Sequence, residues 1–433
     1  MTALERLGAR AAGALLPDRV RKAARLHLAD TVGAWVAGSA TAEGRNLIAF
    51  SAGASGLADR VAAHCALARL SEIDDIHLAS ATTPGALVVP AALTIAAARG
   101  GALAEAIAVG YDAMARLGLV LNGPAILYRG IWPTYLCAPF AVAAVASRLL
   151  ELTGEQTAHA LAIALALSSP AVGRQRGPLV SRWIAIGNAA RGGLTAALSA
   201  RAGFTGDLGI LEGELFPSVY GLSPVAAELE EERPALPEMS FKPWCAAKQT
   251  MAAAQALREI IEEGAAPATM SHVVVGVPPP TLKMIDHGVV SGERASHLTS
   301  LPYQMALAAL HPDTTIDVRQ TPTSVPAEIR DFMAKISAWA DEDLLRHYPK
   351  SWPARVVVTV SGERSEKTVL HVPGDPERAF DESQVAAKFW RLVAPLVGDR
   401  AADELLRLSF AALEGDGAKA LLEAMKRSAA ALG

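Results

Sequence analysis

Long alanine-rich apolar segments recur along the first half of this chain and constrain its fold more than any other feature. The most apolar one covers residues 131–150, and similar segments lie near 90–110 and 158–172. A single membrane helix could explain residues 131–150, since a span needs about 20 apolar residues. Recurrence of the pattern, together with Pro133 and Pro139, favours instead a bundle of helices that are buried on all sides. We therefore expect no membrane-spanning segment.

A change of composition near residue 240 divides the chain. Up to that point the pattern is helical, whereas HVVVGV alternates β-branched residues and two further strand-like runs flank the turn signal Ser361-Gly362. The segment after residue 378 is helical again. The sequence predicts a mainly α protein with a large all-α helical domain and a smaller α+β lid domain. The predicted bounds are 1–240 plus 378–433 for the first, and 241–377 for the second.

Residues that favour helix ends place several helices. A helix is predicted over residues 18–37, because Pro17 precedes it and Gly38 follows it. Thr153 with Gln156 three residues later is typical of a capping box. The first half should therefore contain about a dozen helices.

Charge and cysteine content exclude several classes of protein. The 433 residues carry a formal net charge of −4, which argues against nucleic-acid binding, because a binder needs a basic face. The N-terminal segment shows no secretory signal pattern. Cys65, Cys137 and Cys245 lie in apolar runs without metal-site spacing, so buried, reduced thiols in a cytoplasmic protein are expected.

The segment EIDDIH is the first of four stretches that could carry chemistry. It brings Glu72, Asp75 and His77 within six positions. Such a cluster can act as acid and base, hold a metal, or cap a helix. No neighbouring residues complete a metal-site pattern, so we expect no metal. Catalysis and helix capping both remain open from the residues alone.

Arginines dominate the second and third stretches. In LYRGIWPTY, Arg129 precedes a predicted helix, where it could bind an anion, and Trp132 could pack in the core. Arg174, Arg176 and Arg182 surround one loop and could receive carboxylates. A solvated surface loop is the alternative for these arginines.

The fourth stretch, FKPWCAAKQTMAAA, lies at the change of composition. Lys242 precedes a proline, and Lys248 follows six residues later in a predicted helix. A lysine at a domain boundary can neutralise a substrate carboxylate, although most lysines are simply exposed.

Six segments, in this order and at these separations, resemble the MmgE/PrpD family, which includes 2-methylcitrate dehydratase, cis-aconitate decarboxylase and iminodisuccinate epimerase. They are LADTVGAWVAGS, EIDDIHLASATTPGALVVPAAL, AVGYDAMARLG, YRGIWPTYLCAPFAVAAVASRLLELT, IGNAARGG and FKPWCAAKQTMAA. The resemblance implies a large helical domain with a smaller lid, a homodimer, a site between the domains, and no organic cofactor. It also implies removal of a proton next to a carboxylate while cations hold the substrate.

The sequence departs from the family pattern at all three histidines that can be placed. Their positions carry Thr83, Trp132 and Ala247. His77 is displaced by six residues from the usual histidine. It could take over as the base, but a capping or surface role is the alternative.

Other signature positions change more conservatively. The leading aspartate becomes Glu72, the threonine after Asp-Asp becomes Ile76, and a lysine becomes Arg182, whereas Lys242 is kept. Polar groups thus give way to bulky or apolar ones, which suits a larger and less charged substrate. Without a histidine, the base candidates are Glu72, Asp75 and Lys242.

The sequence therefore predicts a cofactor-independent lyase or isomerase acting on a small, non-standard substrate. A 2-methylcitrate- or cis-aconitate-type enzyme with a rearranged base is one alternative, and a non-catalytic dimeric relative is another. The predicted catalytic residues are Glu72, Asp75, His77 and Lys242, and the predicted substrate-binding residues are Thr83, Arg129, Trp132, Arg182 and Lys248.

Overall fold

The computed structural model describes residues 1–169 and 179–430. The chain divides into two compact units. The helical unit contains the described residues before 170, Val180–Phe241 and the residues from Phe380 onward, and the α/β unit contains Lys242–Ala379. The predicted fold class, mainly α with a smaller α+β part, is confirmed.

Eighteen α-helices occur in the described part of the chain. They are α1 (Ala3–Ala12), α2 (Asp18–Ser39), α3 (Ala42–Ser51), α4 (Leu57–Leu70), α5 (Gly85–Arg99), α6 (Leu103–Val120), α7 (Gly123–Leu127), α8 (Pro133–Leu149), α9 (Gly154–Ala166), α10 (Arg182–Arg201), α11 (Lys248–Glu262), α12 (Pro279–Ile285), α13 (Arg294–Thr299), α14 (Leu301–Leu310), α15 (Ala327–Met333), α16 (Glu382–Val397), α17 (Asp399–Ala411) and α18 (Gly417–Ala430).

Helices α5 and α8 form the centre of the helical unit, as the apolar segments predict. Residues 85–96 of α5 are all buried, and α8 is buried along nearly its whole length. Helix α10 packs closely on α8: a Cβ added at Gly193 would lie 2.4 Å from the carbonyl oxygen of Pro139. Only glycine permits that approach, so the small residues of IGNAARGG serve helix packing.

The predicted helix ends agree with the structure in two cases. Helix α2 begins at Asp18 and continues to Ser39, two residues beyond the predicted end. The Thr153 hydroxyl accepts a hydrogen bond from the Gln156 backbone N–H, and the Gln156 side chain accepts one from the Thr153 N–H. The capping box is confirmed.

The α/β unit contains a four-stranded mixed sheet in the order β2-β1-β3-β4. Strand β1 pairs in parallel with β2 and antiparallel with β3, and β3 pairs antiparallel with β4. The turn between β3 and β4 is Ser361-Gly362, as predicted. The strands are β1 (Met270–Val277), β2 (Ile336–Ala340), β3 (Ala354–Val360) and β4 (Glu363–Val369).

The three cysteines are buried and free of disulfide bonds, as predicted. Burial raises the pKa of the Cys65 and Cys137 thiols. None of the helices in the described ranges combines the length and apolar character required to cross a membrane.

Candidate functional site

The EIDDIH segment forms a buried loop between α4 and α5. Its first acidic residue, Glu72, has a backbone φ of 59°. This left-handed conformation costs a residue with a side chain roughly 1–2 kcal/mol, so the surrounding contacts must hold it. Downstream, Ile76 forms a backbone bridge with Ser240, and His77 forms one with Thr82. The loop is therefore fixed at several points along its length.

Glu72 lies between two guanidinium groups. Arg182 Nη2 donates to Glu72 Oε1 at 2.7 Å, and Arg69 Nη1 lies 2.9 Å from Glu72 Oε2. Arg69 also donates to Asp74 at 3.1 Å. Two cations thus face two carboxylates, and the formal charge of this cluster of Arg69, Glu72, Asp74 and Arg182 is zero. We call it the arginine–carboxylate cluster.

Aromatic rings enclose Arg182. Its guanidinium carbon lies 4.8 Å from the centroid of a Trp132 ring and 4.4 Å from that of a Trp183 ring. Burial works to lower the pKa of Arg182, but Tyr135 and Glu72 outweigh burial, and the net pKa is raised. Trp132 therefore contributes a cation–π surface for a permanently charged arginine.

Asp75 accepts three hydrogen bonds and is fully buried. Its Oδ2 lies 2.7 Å from His27 Nδ1 and accepts from the Tyr111 hydroxyl at 2.6 Å. Its Oδ1 accepts from the Gly85 backbone N–H at 2.8 Å, at the start of α5. Burial, followed by the Asp75 carboxylate, raises the pKa of Tyr111 well above its usual value. Asp75 thereby joins the loop to α2, α5 and α6.

A buried ion pair lies beside this network. Lys388 on α16 contacts Asp30 on α2 at 2.6 Å and donates to the Ile73 carbonyl at 3.0 Å. Burial raises the pKa of Asp30, and Lys388 opposes that shift only in part. Neither His27 nor Lys388 was predicted from the sequence. His27 and Asp30 stand one turn apart on the helix predicted over residues 18–37, which is a local signal for His27.

His77 is engaged by its own loop. Its Nδ1 lies 2.8 Å from Ser80 Oγ, which lies 2.7 Å from Thr82 Oγ1. The other ring nitrogen, Nε2, lies 3.7 Å from Glu238, and the interaction with His77 lowers the pKa of the Glu238 carboxyl. These contacts support a positioning role for His77.

Thr83 and Arg129 also have intramolecular partners. The Thr83 N–H donates to Thr134 Oγ1 at 3.0 Å, at the start of α8. Arg129 donates to the carbonyl oxygens of Tyr220 and Gly221 at 3.1 and 3.2 Å, where a π-helical turn ends. Arg129 thus caps a turn within the helical unit. Arg174 and Arg176 lie outside the described residues.

A cavity of about 330 Å³ adjoins the arginine–carboxylate cluster within the helical unit. Tyr135 links the two, since it lines the cavity and interacts with Arg182. Among the described lining residues, Arg191 is charged and forms an ion pair with Asp59 at 2.6 Å. The other lining residues besides Tyr135 are neutral: Leu167, Ser169, Ala185, Asn188, Ala189, Gly192 and Thr195.

The two candidate lysines belong to the α/β unit and are both buried. Lys248 begins α11 and forms an ion pair with Asp375. Burial lowers the pKa of Lys248, Asp375 counteracts this, and the positive charge of Lys242 lowers it further. The two lysines are therefore close enough to influence each other.

Comparison with known families covers most of the chain. Residues 9–216 match the MmgE/PrpD N-terminal domain, and residues 244–411 match the MmgE/PrpD C-terminal domain. No curated protein matches the chain. Within residues 1–169 and 179–430, no group of three or more potential metal ligands is found. Because the two matched regions together span well over half of the sequence, the chain belongs to the MmgE/PrpD family, whose members are generally lyases, dehydratases or isomerases.

Proposed function

We propose that this protein is a lyase or isomerase that removes a proton next to a carboxylate or carbonyl group without an organic cofactor. We further propose that its substrate carries less negative charge than a tricarboxylate. The neutral arginine–carboxylate cluster is the observation that carries this proposal. A site that binds several carboxylates needs surplus positive charge, whereas here Glu72 and Asp74 already balance Arg69 and Arg182.

The neighbouring cavity supports the same substrate class. Its lining combines small apolar side chains with the amide of Asn188 and the hydroxyls of Ser169 and Thr195, and the guanidinium of Arg191 is paired with Asp59. Such a surface suits an apolar body with a few hydrogen-bonding groups. Arg182, held in place by Glu72, offers one fixed cation to a single carboxylate or polarised carbonyl.

Lys242 is the base that we propose. Lys242 keeps the lysine that the family resemblance implies at this position. Lys242 is buried and near a second lysine. A buried amine beside another cation is a common way to obtain a neutral, proton-accepting lysine. Lys248, paired with Asp375, would supply that second charge.

Hydrogen exchange tests this function without knowledge of the leaving group. The protein is incubated in D2O with a panel of mono-, di- and tricarboxylic acids and their amides, and deuterium at the α-carbon is followed by NMR. We expect exchange in acids with one carboxylate and a larger apolar part. Turnover of tricarboxylates alone would favour the alternative of a family-type enzyme with a rearranged base. No exchange in any compound, across pH 5 to 9, would favour a non-catalytic relative.

Two variants assign the roles. Lys242→Arg keeps the positive charge but removes the base, so exchange should fall by at least about 100-fold. Glu72→Gln should raise KM more than it lowers kcat, since its proposed part is to orient Arg182. If folded Lys242→Arg and Glu72→Gln both exchange at the wild-type rate, the proposed site is wrong.

We also propose a homodimer, as the family resemblance implies. A groove of about 430 Å³ lies between α3, α4 and α10, and apolar side chains border it. Phe50 is 73% exposed and Ile184 is 47% exposed. Exposed apolar residues around one groove are typical of a protein–protein interface.

A further inference from the structure

A second cavity in the helical unit lies apart from the candidate site. It has a volume of about 230 Å³ and opens between α2, α3, α4 and α18. For comparison, an apolar cavity of roughly 150 Å³ can bind benzene. The space is therefore sufficient for a molecule with one aromatic ring and a substituent. Its apolar lining residues are Trp35, Val36, Ile48, Ala54, Ala63, Leu67, Leu422 and Met425.

His64 is the polar feature of this cavity that defines its chemistry. Its Nδ1 lies 2.8 Å from the Thr94 hydroxyl, and that hydroxyl donates to the Pro90 carbonyl at 2.6 Å. The Pro90 carbonyl oxygen can only accept a hydrogen bond, and the Thr94 hydroxyl has only one proton to donate. The Thr94 oxygen must therefore accept, and His64 Nδ1 must carry the proton.

Because Nδ1 carries the proton, His64 Nε2 is unprotonated and can accept a hydrogen bond. Among the described residues, no hydrogen bond to Nε2 is found, and the ring lines the cavity. Burial, and then the charges of Arg60 and Lys426, lower the pKa of His64 to about 3. The imidazole is thus neutral at physiological pH, and its Nε2 can accept a hydrogen bond from a ligand but cannot donate one.

The cavity also has other polar lining residues. Asp59, Arg60, Lys426 and three serines also line the cavity. The ring centroids of Trp35 and His64 are 4.6 Å apart, so an aromatic side chain lies beside the imidazole. Met425 offers a polarisable thioether that packs well against aromatic ligands.

We propose that this cavity is a binding site for a small aromatic molecule with one hydroxyl or N–H donor, which hydrogen-bonds to His64 Nε2 and stacks beside Trp35. The site is separate from the arginine–carboxylate cluster, and none of the predicted site residues lines it. It borders the groove of the proposed homodimer, because Ser51, Ala54, Asp59 and Ala63 line both. It therefore gives the helical unit a ligand-binding role that does not depend on the proposed reaction.

Phenol and toluene are matched probes, because they have nearly the same shape and only phenol has a donor. Methyl-labelled methionine provides a local readout through Met425, and the titration yields a dissociation constant for each probe. We expect saturable shifts of the Met425 signal with phenol. In His64→Leu the ratio of phenol affinity to toluene affinity should fall about three- to tenfold, which corresponds to one hydrogen bond.

A cavity-filling variant keeps the test decisive if His64→Leu is poorly folded. Ser39→Phe places a ring in the cavity and should abolish the Met425 shift with both probes. Lys419→Phe adds the same ring to an exposed position of α18 and should leave binding unchanged. The proposal is overturned if phenol gives no saturable shift, if Ser39→Phe binds like the wild type, or if His64→Leu leaves the phenol-to-toluene ratio unchanged.

Discussion

At the scale of single residues, the acids of EIDDIH have three different tasks. Glu72 balances Arg182, Asp74 balances Arg69, and Asp75 collects donors from three helices. Adjacent carboxylates would repel each other in a low-dielectric interior. Arg69 is shared by Glu72 and Asp74, Arg182 binds Glu72, and a different set of donors serves Asp75, so each of the three carboxylates has a partner within one short loop.

Removal of the Asp75 charge should destabilise the protein more than removal of one of its donors. Asp75→Asn presents an amide N–H₂ or a neutral oxygen to His27 and Tyr111, so at least one buried donor loses its charged acceptor. We expect a loss of about 3 kcal/mol in the free energy of unfolding. Tyr111→Phe deletes only one donor and should cost about half as much. Urea denaturation measures both losses. If Asp75→Asn loses no more unfolding free energy than Tyr111→Phe does, the proposed importance of the Asp75 hydrogen bonds is contradicted.

The buried His64 should make stability depend on pH. Its folded pKa of about 3 lies below the unfolded value of 6.5. Between these values the unfolded chain binds the proton and the folded chain does not, so stability is lost as the pH falls. The slope from this residue approaches about 1.4 kcal/mol per pH unit below pH 6. Denaturation at pH 7.5, 6 and 5 should show that extra slope in the wild type but not in His64→Gln. If the free energy of unfolding of the wild type and of His64→Gln changes in parallel with pH, the His64 imidazole is not held neutral.

The sequence indicated which residues matter near Glu72, but not how they are connected. Glu72, Trp132 and Arg182 stand in three stretches that the residue types singled out, and the structure brings these three together. Lys388 contacts a loop residue 315 positions away, and no local pattern encodes such a contact. The left-handed backbone of Glu72 has no signal either, because glycine or asparagine is the residue that usually marks this conformation.

At the scale of elements, long apolar helices and the β3–β4 hairpin were predictable. Long apolar runs mark α5 and α8, and the turn residues Ser361-Gly362 mark the hairpin. Strand β2 was not predicted. Its five residues alternate between half-buried and exposed positions, and their apolar character is too weak to distinguish a strand from a loop.

The hairpin turn offers a stabilising substitution. Ser361 and Gly362 have φ values of 52° and 90°, and two consecutive left-handed residues are typical of a type I′ turn. Asn-Gly is favoured in this turn because asparagine tolerates the left-handed region better than serine does. Ser361→Asn should therefore raise the free energy of unfolding by about 0.5 kcal/mol, as judged by thermal or urea denaturation. Ser361→Val, which is β-branched, should lower it. Stabilisation by valine would show that the turn conformation does not limit stability.

At the scale of the whole molecule, exposed apolar side chains have an uneven distribution. Phe50 and Ile184 border one groove of the helical unit, whereas Phe204 is equally apolar, 68% exposed, and absent from that groove. Isolated exposed residues are normal in monomers, but a group around a groove calls for a partner. A second copy of the chain is the partner that we propose.

Charged substitutions at these positions test the homodimer directly. Phe50→Glu would bury a carboxylate at the proposed interface of two copies, and by symmetry the cost is incurred twice. We expect sedimentation velocity to show a dimer for the wild type and at least a tenfold weaker dimer for Phe50→Glu. Phe204→Glu has a matched residue type and exposure, so it controls for a general effect of charge and should remain dimeric. A monomeric wild type would refute the dimer. Equal weakening by both substitutions, or by neither, would place the interface elsewhere and leave Phe50 and Ile184 as ordinary surface residues.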